Sequence, residues 1–174
     1  MSQDLQEFID GAQNGFIYFS LGSNARSSAL PTEIQRVFCD VFATLPYKVV
    51  WKYEKDLPEK PDNVYTGEWL PQQSILGIIF LIIVILPFDD KSSNEWYYFT
   101  AHPNVKMFIY QGGLQSSEEA IHFGVPVLGF AIFADQDYQV ARMEALGIGK
   151  RLEIKTVTRD ELKSSITELA TNKE

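Results

Sequence analysis

Residues 105–136, VKMFIYQGGLQSSEEAIHFGVPVLGFAIFADQ, contain the clearest evidence for how this chain folds. The apolar run 107–110 is typical of a buried parallel strand. Gly112 and Gly113 then let the backbone stop and turn tightly, because neither residue carries a Cβ atom. A helix over residues 115–122 and a second buried strand are expected to follow. This order of strand, turn, helix and strand predicts an α/β fold.

The rest of the chain repeats the alternation of strand and helix. Apolar residues recur at spacings of three and four between Pro31 and Pro46, which predicts a helix there. Thr158 and Glu161 have the spacing of a capping box and predict the start of the last helix. Further strands are expected over residues 16–20, 48–53, near 64–65, 125–128 and 151–154, and a further helix over 139–146. We therefore predict one domain with a doubly wound, Rossmann-like parallel sheet.

Polar residues follow the predicted strands at the sheet edge where α/β proteins bind ligands. Gln115 and Ser116 begin the helix after the glycine turn, where unpaired N–H groups and the helix dipole favour an anion such as phosphate. Asp135 and Gln136 follow the next strand. The polar groups are expected to converge on one crevice. Singly, each motif also fits an ordinary turn or a solvated helix face.

Composition limits the classes of function. The chain has 174 residues, of which 45% are hydrophobic and 13% aromatic, and this is enough apolar material for a core. Its net charge of −8 argues against non-specific nucleic-acid binding. The single cysteine, Cys39, allows no internal disulfide and has no partner for a metal site. It lies among apolar residues, so a buried and inert thiol is expected.

The chain also contains a set of short motifs in a fixed order: FIYFSLGS at 16–23, WLPQQ at 69–73, AHPNVK at 101–106, QGG at 111–113, Glu119, GVP at 124–126 and DQ at 135–136. Together these motifs resemble the carboxyl-terminal domain of the UDP-glycosyltransferases, particularly that of animal and insect members. These enzymes transfer a sugar from a UDP-sugar to small lipophilic acceptors, often in detoxification. The resemblance implies the GT-B fold and a UDP-sugar as donor substrate, without a further cofactor or metal.

The resemblance implies that separate residues bind the nucleoside and the sugar. Trp69 would stack on uracil, although a Trp in this position could equally belong to the core, and Gln72 would help to hold the uridine. Glu119 would accept hydrogen bonds from the ribose hydroxyls. Asp135 and Gln136 would hold the hydroxyls of the sugar, and Gln136 is compatible with glucose.

The resemblance also implies that the glycine turn and the helix start after it bind the diphosphate. Gly113, Gln115 and Ser116 would form the cradle, with Ser23 approaching from the turn after the first strand. Gln111 stands where many members of the family have His, and Gln115 where many have Asn. Both side chains keep a donor for a phosphate oxygen, but Gln111 cannot supply a cationic imidazole.

No catalytic residue is identified. The family's base is a His on the amino-terminal domain, which also forms the acceptor pocket, and neither His102 nor His122 is a convincing replacement. We expect a donor-binding half-enzyme that is inactive by itself. The alternatives are a non-catalytic isoform that binds UDP-sugar or docks on a full-length enzyme, and an unrelated nucleotide-binding protein with the same fold.

The family implies the lumenal side of the endoplasmic reticulum membrane. This chain begins MSQDLQE, without the basic and then apolar pattern of a signal peptide. Its longest apolar run, residues 75–88, is shorter than the ~20 residues of a membrane-spanning helix. From this sequence we expect a soluble chain with no membrane span and no nucleic-acid partner.

Residues 77–100 interrupt what otherwise resembles one continuous family motif. We divide the chain into a lead-in at 1–14 and a nucleotide-sugar domain at 15–174 that contains this insert. The segment has an apolar run and an aromatic tail without helical or strand periodicity, so we expect it to be poorly ordered or packed adventitiously. Excision between the codons of Gly77 and Ala101 would keep the reading frame, which is what a retained intron would show.

Overall fold

The structure of the protein is a computed structural model, and it describes residues 1–83, 95–133 and 135–171. The strands are β1 Phe16–Ser20, β2 Lys48–Lys52, β3 Val64–Gly67, β4 Gly77–Ile83, β5 Glu95–Ala101, β6 Val105–Tyr110, β7 Val127–Gly129 and β8 Gly149–Arg151. The helices are α1 Gln3–Asp10, α2 Thr32–Ala43, α3 Gln72–Leu76, α4 Leu114–Phe123, α5 Gln136–Ala145 and α6 Arg159–Thr171, with a short 3-10 turn at Ser27–Ala29.

Six strands form one parallel sheet in the order β3-β2-β1-β6-β7-β8. The chain builds the sheet outward from β1 to β3, and then returns to the other side of β1 to add β6, β7 and β8. The carboxyl ends of β1 and β6 therefore flank a topological switch point, where open α/β sheets bind their ligands. The predicted doubly wound parallel sheet is confirmed.

Helices cover both faces of this sheet and create two cores. On one face, α2 and α6 pack over the strands through residues such as Phe38 and Ile166. On the other face, α1, α3, α4 and α5 contribute Ile9, Ile75 and other apolar side chains. Strands buried on both faces explain why the sheet segments are continuous apolar runs.

An aromatic cluster fixes the ends of β1 and β2 beneath α2. Phe19 and Trp51 are register partners and their rings stack with centroids 4.8 Å apart. Phe38 of α2 lies 4.9 Å from the Phe19 ring. Because successive side chains along a strand point to opposite faces, the next residues, Ser20 and Lys52, point to the other face of the sheet. The cluster therefore helps to set the position of two polar residues at the carboxyl edge.

The predicted features of the remaining segments are mostly confirmed. Cys39 is buried, and burial raises the pKa of its thiol to about 11, so the thiol stays protonated at neutral pH. The capping box forms, since the Glu161 carboxylate accepts from the Thr158 N–H at 3.0 Å and the Glu161 N–H donates to the Thr158 hydroxyl at 3.3 Å. Gly124 ends α4 in the left-handed conformation.

The position of the last strand is a correction. We predicted a strand over residues 151–154, but β8 is Gly149–Arg151. A Cβ atom on Gly149 would lie 2.6 Å from a methyl carbon of Val127, so glycine is what allows these two strands to pair so closely. Gly149 is therefore a strand residue, whereas Ile154 is buried beyond the strand end.

Residues 77–100 include two strands, although their sequence lacks strand periodicity. β4 and β5 pair as an antiparallel ribbon from the Gly77 and Ala101 pair to the Ile83 and Glu95 pair. The ribbon is separate from the main sheet. β-Branched and aromatic residues favour strands even where polar and apolar residues do not alternate. The apolar run beyond Ile83 lies outside the described residues.

Candidate functional site

A cleft of about 410 Å³ opens at the carboxyl ends of β1 and β2, beneath α3 and the first turns of α4. This is the edge of the sheet, beside the topological switch point, at which we predicted a ligand site. Most of its described lining residues carry a polar side chain, and they include one lysine and one glutamate. The lining residues are Tyr18, Ser20, Gly22, Ser23, Lys52, Trp69, Leu70, Pro71, Gln72, Gln73, Ser74, Gln115, Ser116 and Glu119.

Trp69 stands free in the cleft. Its side chain is 79% exposed, whereas the next residue, Leu70, is 7% exposed and packs in the second core. Pro71 then leads into α3. The buried leucine therefore anchors the loop while the indole face stays available to a flat ligand. The alternative that Trp69 belongs to the core is excluded.

Glu119 is the centre of a network of amide groups between α3 and α4. The Gln72 amide donates to one carboxylate oxygen at 2.7 Å and also to the Ser116 hydroxyl at 2.9 Å. The Gln73 amide donates to the other carboxylate oxygen at 2.9 Å. Gln115 reaches that same oxygen at 3.5 Å. These bonds join the helix after Trp69 to α4.

The glycine turn after β6 brings α4 to the cleft. Gly112 has φ +88, and a Cβ atom there would lie 2.6 Å from the backbone oxygen of Gln136. Gly113 is the N-cap residue of α4, and no side chain caps the helix. The first N–H groups of α4 are thus open beside Gln115 and Ser116, at the positive end of the helix dipole.

Gln111 lies behind this edge of the cleft. It is 8% exposed, and a Cβ atom on Gly22 would lie 2.4 Å from its amide nitrogen. Its amide oxygen is buried and has no hydrogen-bond partner among the described residues. Gly22 has φ +78, which brings the turn after β1 onto this amide. Gln111 therefore fills the space between the two glycine turns.

Asp135 and Gln136 lie away from the lining of this cleft. The Gln136 side chain is 6% exposed, and its amide oxygen accepts from the N–H groups of Ile132 and Phe133 at 3.0 and 3.1 Å. It thus holds the loop between β7 and α5. Asp135 is exposed at the N-cap position of α5 and makes no capping bond with its side chain.

The cleft brings together most of the predicted site residues. On its lining are Ser23, Trp69, Gln72, Gln115, Ser116 and Glu119, with Gln111 and Gly113 bordering it and Asp135 and Gln136 outside it. We did not predict Gln73, which binds Glu119, or the floor residues Tyr18, Ser20 and Lys52. A charged residue at the end of a buried strand is a signal that could have identified Lys52.

The phenol of Tyr18 at the floor of the cleft is largely shielded from solvent. Burial raises the pKa of the Tyr18 phenol far above its ordinary value, a hydrogen bond with Ser20 opposes the rise, and the charge of Glu119 adds to it. Tyr18 therefore stays protonated and neutral at physiological pH. Charges placed above this floor are less screened than charges in bulk water.

The two histidines are not in this cleft. His102 is buried, and its Nδ1 accepts from the Asn104 N–H at 3.2 Å. Burial lowers the pKa of His102 and a weaker interaction with Asp10 opposes the shift. His102 thus remains neutral at pH 7. His122 lies in the last turn of α4, about 10 Å along the helix from Gln115 at 1.5 Å per residue.

In the part of the chain that the structure describes, no helix is long and apolar enough to cross a bilayer.

Comparison with protein families gives a match over most of the chain. The family described as UDP-glucoronosyl and UDP-glucosyl transferase matches residues 1–78 and 98–174. UDP-glucosyltransferase 2 of Dactylopius coccus is 32% identical over 98% of this chain and 28% of its own length. Ecdysteroid UDP-glucosyltransferase of Spodoptera littoralis nuclear polyhedrosis virus is 34% identical over 99% of this chain and 29% of its own length. The chain thus spans less than a third of these relatives.

Solved glycosyltransferases share the fold. The glycosyltransferase of kitacinnamycin superposes with a TM-score of 0.70 at 24% identity, over 94% of this chain and 36% of that one. Spinosyn forosaminyltransferase SpnP superposes with a TM-score of 0.70 at 19% identity, over 98% of this chain and 38% of that one. The predicted GT-B domain fold is confirmed.

Proposed function

Because this chain belongs to the UDP-glycosyltransferase family, we propose that its cleft binds the UDP part of a UDP-sugar donor for hexosyl transfer. The observation that carries the proposal is the convergence of an exposed indole, a carboxylate and an uncapped helix start on one cleft. Trp69 is 79% exposed, Glu119 lies on α4, and Gly113 leaves the N-terminus of α4 open. Each of these groups suits a different part of a nucleoside diphosphate.

The nucleoside would occupy the side of the cleft formed by α3. Uracil stacks on Trp69, since a flat exposed ring with an anchored neighbour offers a rigid surface. The ribose hydroxyls donate to Glu119. A carboxylate has about four lone-pair sites, so Glu119 can accept from the ribose while it keeps the bonds from Gln72 and Gln73. Those bonds hold the carboxylate ready for the ligand.

The diphosphate would lie at the N-terminus of α4. The open N–H groups after Gly113 and the hydroxyl of Ser116 donate to phosphate oxygens, and the helix dipole favours the negative charge. Ser23 approaches from the turn after β1. Gln111, between the glycine turns, would contact the phosphates through its amide group.

The sugar would extend beyond the cleft toward Asp135 and Gln136. We propose that Asp135 binds sugar hydroxyls and that Gln136 positions the loop between β7 and α5 as well as contacting the sugar. The relatives include enzymes named as UDP-glucosyltransferases, which supports glucose as the hexose. The name of the ecdysteroid enzyme supports a small lipophilic acceptor, and membership of the family supports an endoplasmic reticulum location.

Transfer needs a base within reach of the acceptor. His102 is buried and bonded to Asn104, and His122 is about 10 Å along α4 from the phosphate side of the cleft. We therefore propose that residues 1–174 bind the donor and do not transfer its sugar by themselves.

The test is isothermal titration of the purified chain with UDP, followed by an assay for transfer from UDP-glucose to a phenol. We expect binding of UDP and no transfer. Uridine should bind more weakly, because it lacks the diphosphate that the helix start favours. Transfer by the chain would refute the inactivity, and absence of UDP binding would refute the proposed function.

A second prediction concerns Glu119. In Glu119→Gln we expect UDP affinity to fall about tenfold, since hydrogen bonds to a charged group are worth ~1.5–3 kcal/mol. A 2′,3′-dideoxyribose analogue of UDP should lose much less, because it has no hydroxyl pair for the carboxylate. Titration of both ligands provides the comparison.

The matched control is Glu118→Gln, which removes the same charge from the neighbouring exposed residue. It should leave both affinities nearly unchanged. Equal losses for UDP and for the analogue in Glu119→Gln would instead mean that Glu119 acts only by joining α3 to α4.

A further inference from the structure

Lys52 is the one positively charged side chain among the described lining residues of the cleft. The chain as a whole carries a net charge of −8, so a ligand with two phosphates approaches a protein of the same sign. Glu119 adds a further negative charge inside the cleft. A cation at the cleft floor is therefore the group most able to offset this repulsion.

The sheet determines where the ammonium group lies. Lys52 ends β2, next to Ser20 at the end of β1, and both residues line the cleft floor. Neighbouring strands are about 4.8 Å apart, so the base of Lys52 lies one strand from the Gly22 and Ser23 turn. A lysine side chain can span that separation. Lys52 thus lies between the Trp69 side of the cleft and the phosphate side.

A carboxylate holds Lys52 in place. The Lys52 ammonium donates to Glu54 at 2.9 Å, and both side chains are only 11% exposed. The other Glu54 oxygen accepts from the Ser28 N–H at 3.1 Å. Burial raises the pKa of Glu54, but the bonds from Lys52 and Ser28 outweigh it and keep the pKa below its usual value. Glu54 therefore stays ionised and its position is fixed from two sides.

The ammonium group keeps donors for a ligand. A lysine has three N–H donors, and Glu54 takes one of them. Pairing with Glu54 also reduces the cost of keeping a charge at a buried position before the ligand arrives. The pair is thus a preorganised donor rather than a surface ion pair.

We propose that Lys52 donates to an oxygen of the UDP diphosphate from the floor of the cleft and that Glu54 is its positioning residue. This inference rests on the proposed function, because it assumes that UDP occupies the cleft. It adds a charged contact that the helix start and the hydroxyl groups do not provide. Charge-assisted bonds to phosphate are about twice as strong as neutral ones.

The test compares uridine, UMP and UDP by isothermal titration with four variants. Lys52→Met removes the charge, and Lys52→Arg keeps it. The double variant Lys52→Met with Glu54→Gln removes both charges, so that no unpaired carboxylate remains buried if the single variant fails to fold. Lys55→Met is the matched control, since Lys55 is an exposed lysine outside the cleft lining.

In the double variant we expect the affinity for UDP to fall about tenfold or more, as for the loss of a charge-assisted bond. The affinity for UMP should fall by a smaller factor. The affinity for uridine should fall by less than about twofold. Lys52→Arg should remain within about threefold of the unmodified chain, since it retains the charge. The loss in the double variant should shrink at high salt. Lys55→Met should behave like the unmodified chain.

Equal losses for uridine and UDP would overturn the inference, because Lys52 would then act on the nucleoside or on the fold. Unchanged UDP affinity in a folded double variant would overturn it as well. If the unmodified chain binds UDP, either result refutes only the role of Lys52 and leaves the proposed function in place. If the unmodified chain does not bind UDP, the proposed function fails first and this inference fails with it.

Discussion

Trp69→Ala is expected to weaken UDP binding by about 1–3 kcal/mol, the range for stacking of a base on an aromatic side chain. The same substitution should change the free energy of unfolding by less than about 0.5 kcal/mol, as for other surface substitutions. The reason is the 79% exposure of the indole, which contributes little to either core. Isothermal titration and thermal denaturation measure the two quantities separately.

Tyr138→Ala is the matched control for this prediction. Tyr138 is 69% exposed on α5 and does not line the cleft. Its removal should leave both UDP affinity and stability almost unchanged. If Trp69→Ala binds UDP as tightly as the unmodified chain, the indole does not stack on the base and the nucleoside lies elsewhere.

Deletion of residues 78–100 is expected to give a folded chain that is more soluble than the original and binds UDP at least as well. Gly77 and Ala101 are paired across the base of the ribbon. The His102 N–H donates to the Leu76 carbonyl oxygen at 2.9 Å. Joining Gly77 to Ala101 makes this bond the i to i+3 bond of a β-turn with glycine at its second position, which favours such turns.

The family match supports this interpretation of the segment, because it covers residues 1–78 and resumes at 98. The aliphatic run in the segment is an aggregation liability when exposed. The described lining residues of the cleft all lie outside residues 77–100, so the deletion should preserve these binding groups. Soluble yield, circular dichroism and UDP titration of the two chains test the prediction.

A matched control deletes only part of the ribbon. Removing residues 80–98 would leave short strand stubs around the same base and should also fold, with less gain in solubility. If the 78–100 deletion fails to fold while the full chain is soluble, the segment is part of the domain. Transcripts sequenced across the Leu76 and Ala101 codons address its origin, and the segment in every transcript would refute a retained intron.

Strong local patterns predicted most of the fold. The alternation of apolar strands with amphipathic helices, the capping box at Thr158 and the C-terminal glycine of α4 are local features, and each is confirmed. β8 was displaced because the close approach of Gly149 to Val127 is a tertiary contact. The ribbon was missed because backbone pairing between its strands needs no alternation of polar and apolar residues.

The site was predictable only where motif residues follow strands or begin helices. Glu119 could be assigned to the cleft, but its bonds with Gln72 and Gln73 depend on how α3 packs against α4. The bonds that the Gln136 amide oxygen accepts from Ile132 and Phe133 likewise depend on the path of the preceding loop. Such contacts depend on backbone geometry that residue spacing does not encode.

The central claim is that UDP binds in the cleft between Trp69, Glu119 and the start of α4. A titration of the ¹⁵N-labelled chain with UDP, followed by ¹H–¹⁵N NMR, tests it most directly. We expect saturable shifts of the Trp69 indole and of the Gln115 and Ser116 amides, with the buried Trp51 indole little changed. Saturable shifts confined to another surface, or no shifts at millimolar UDP, would contradict it.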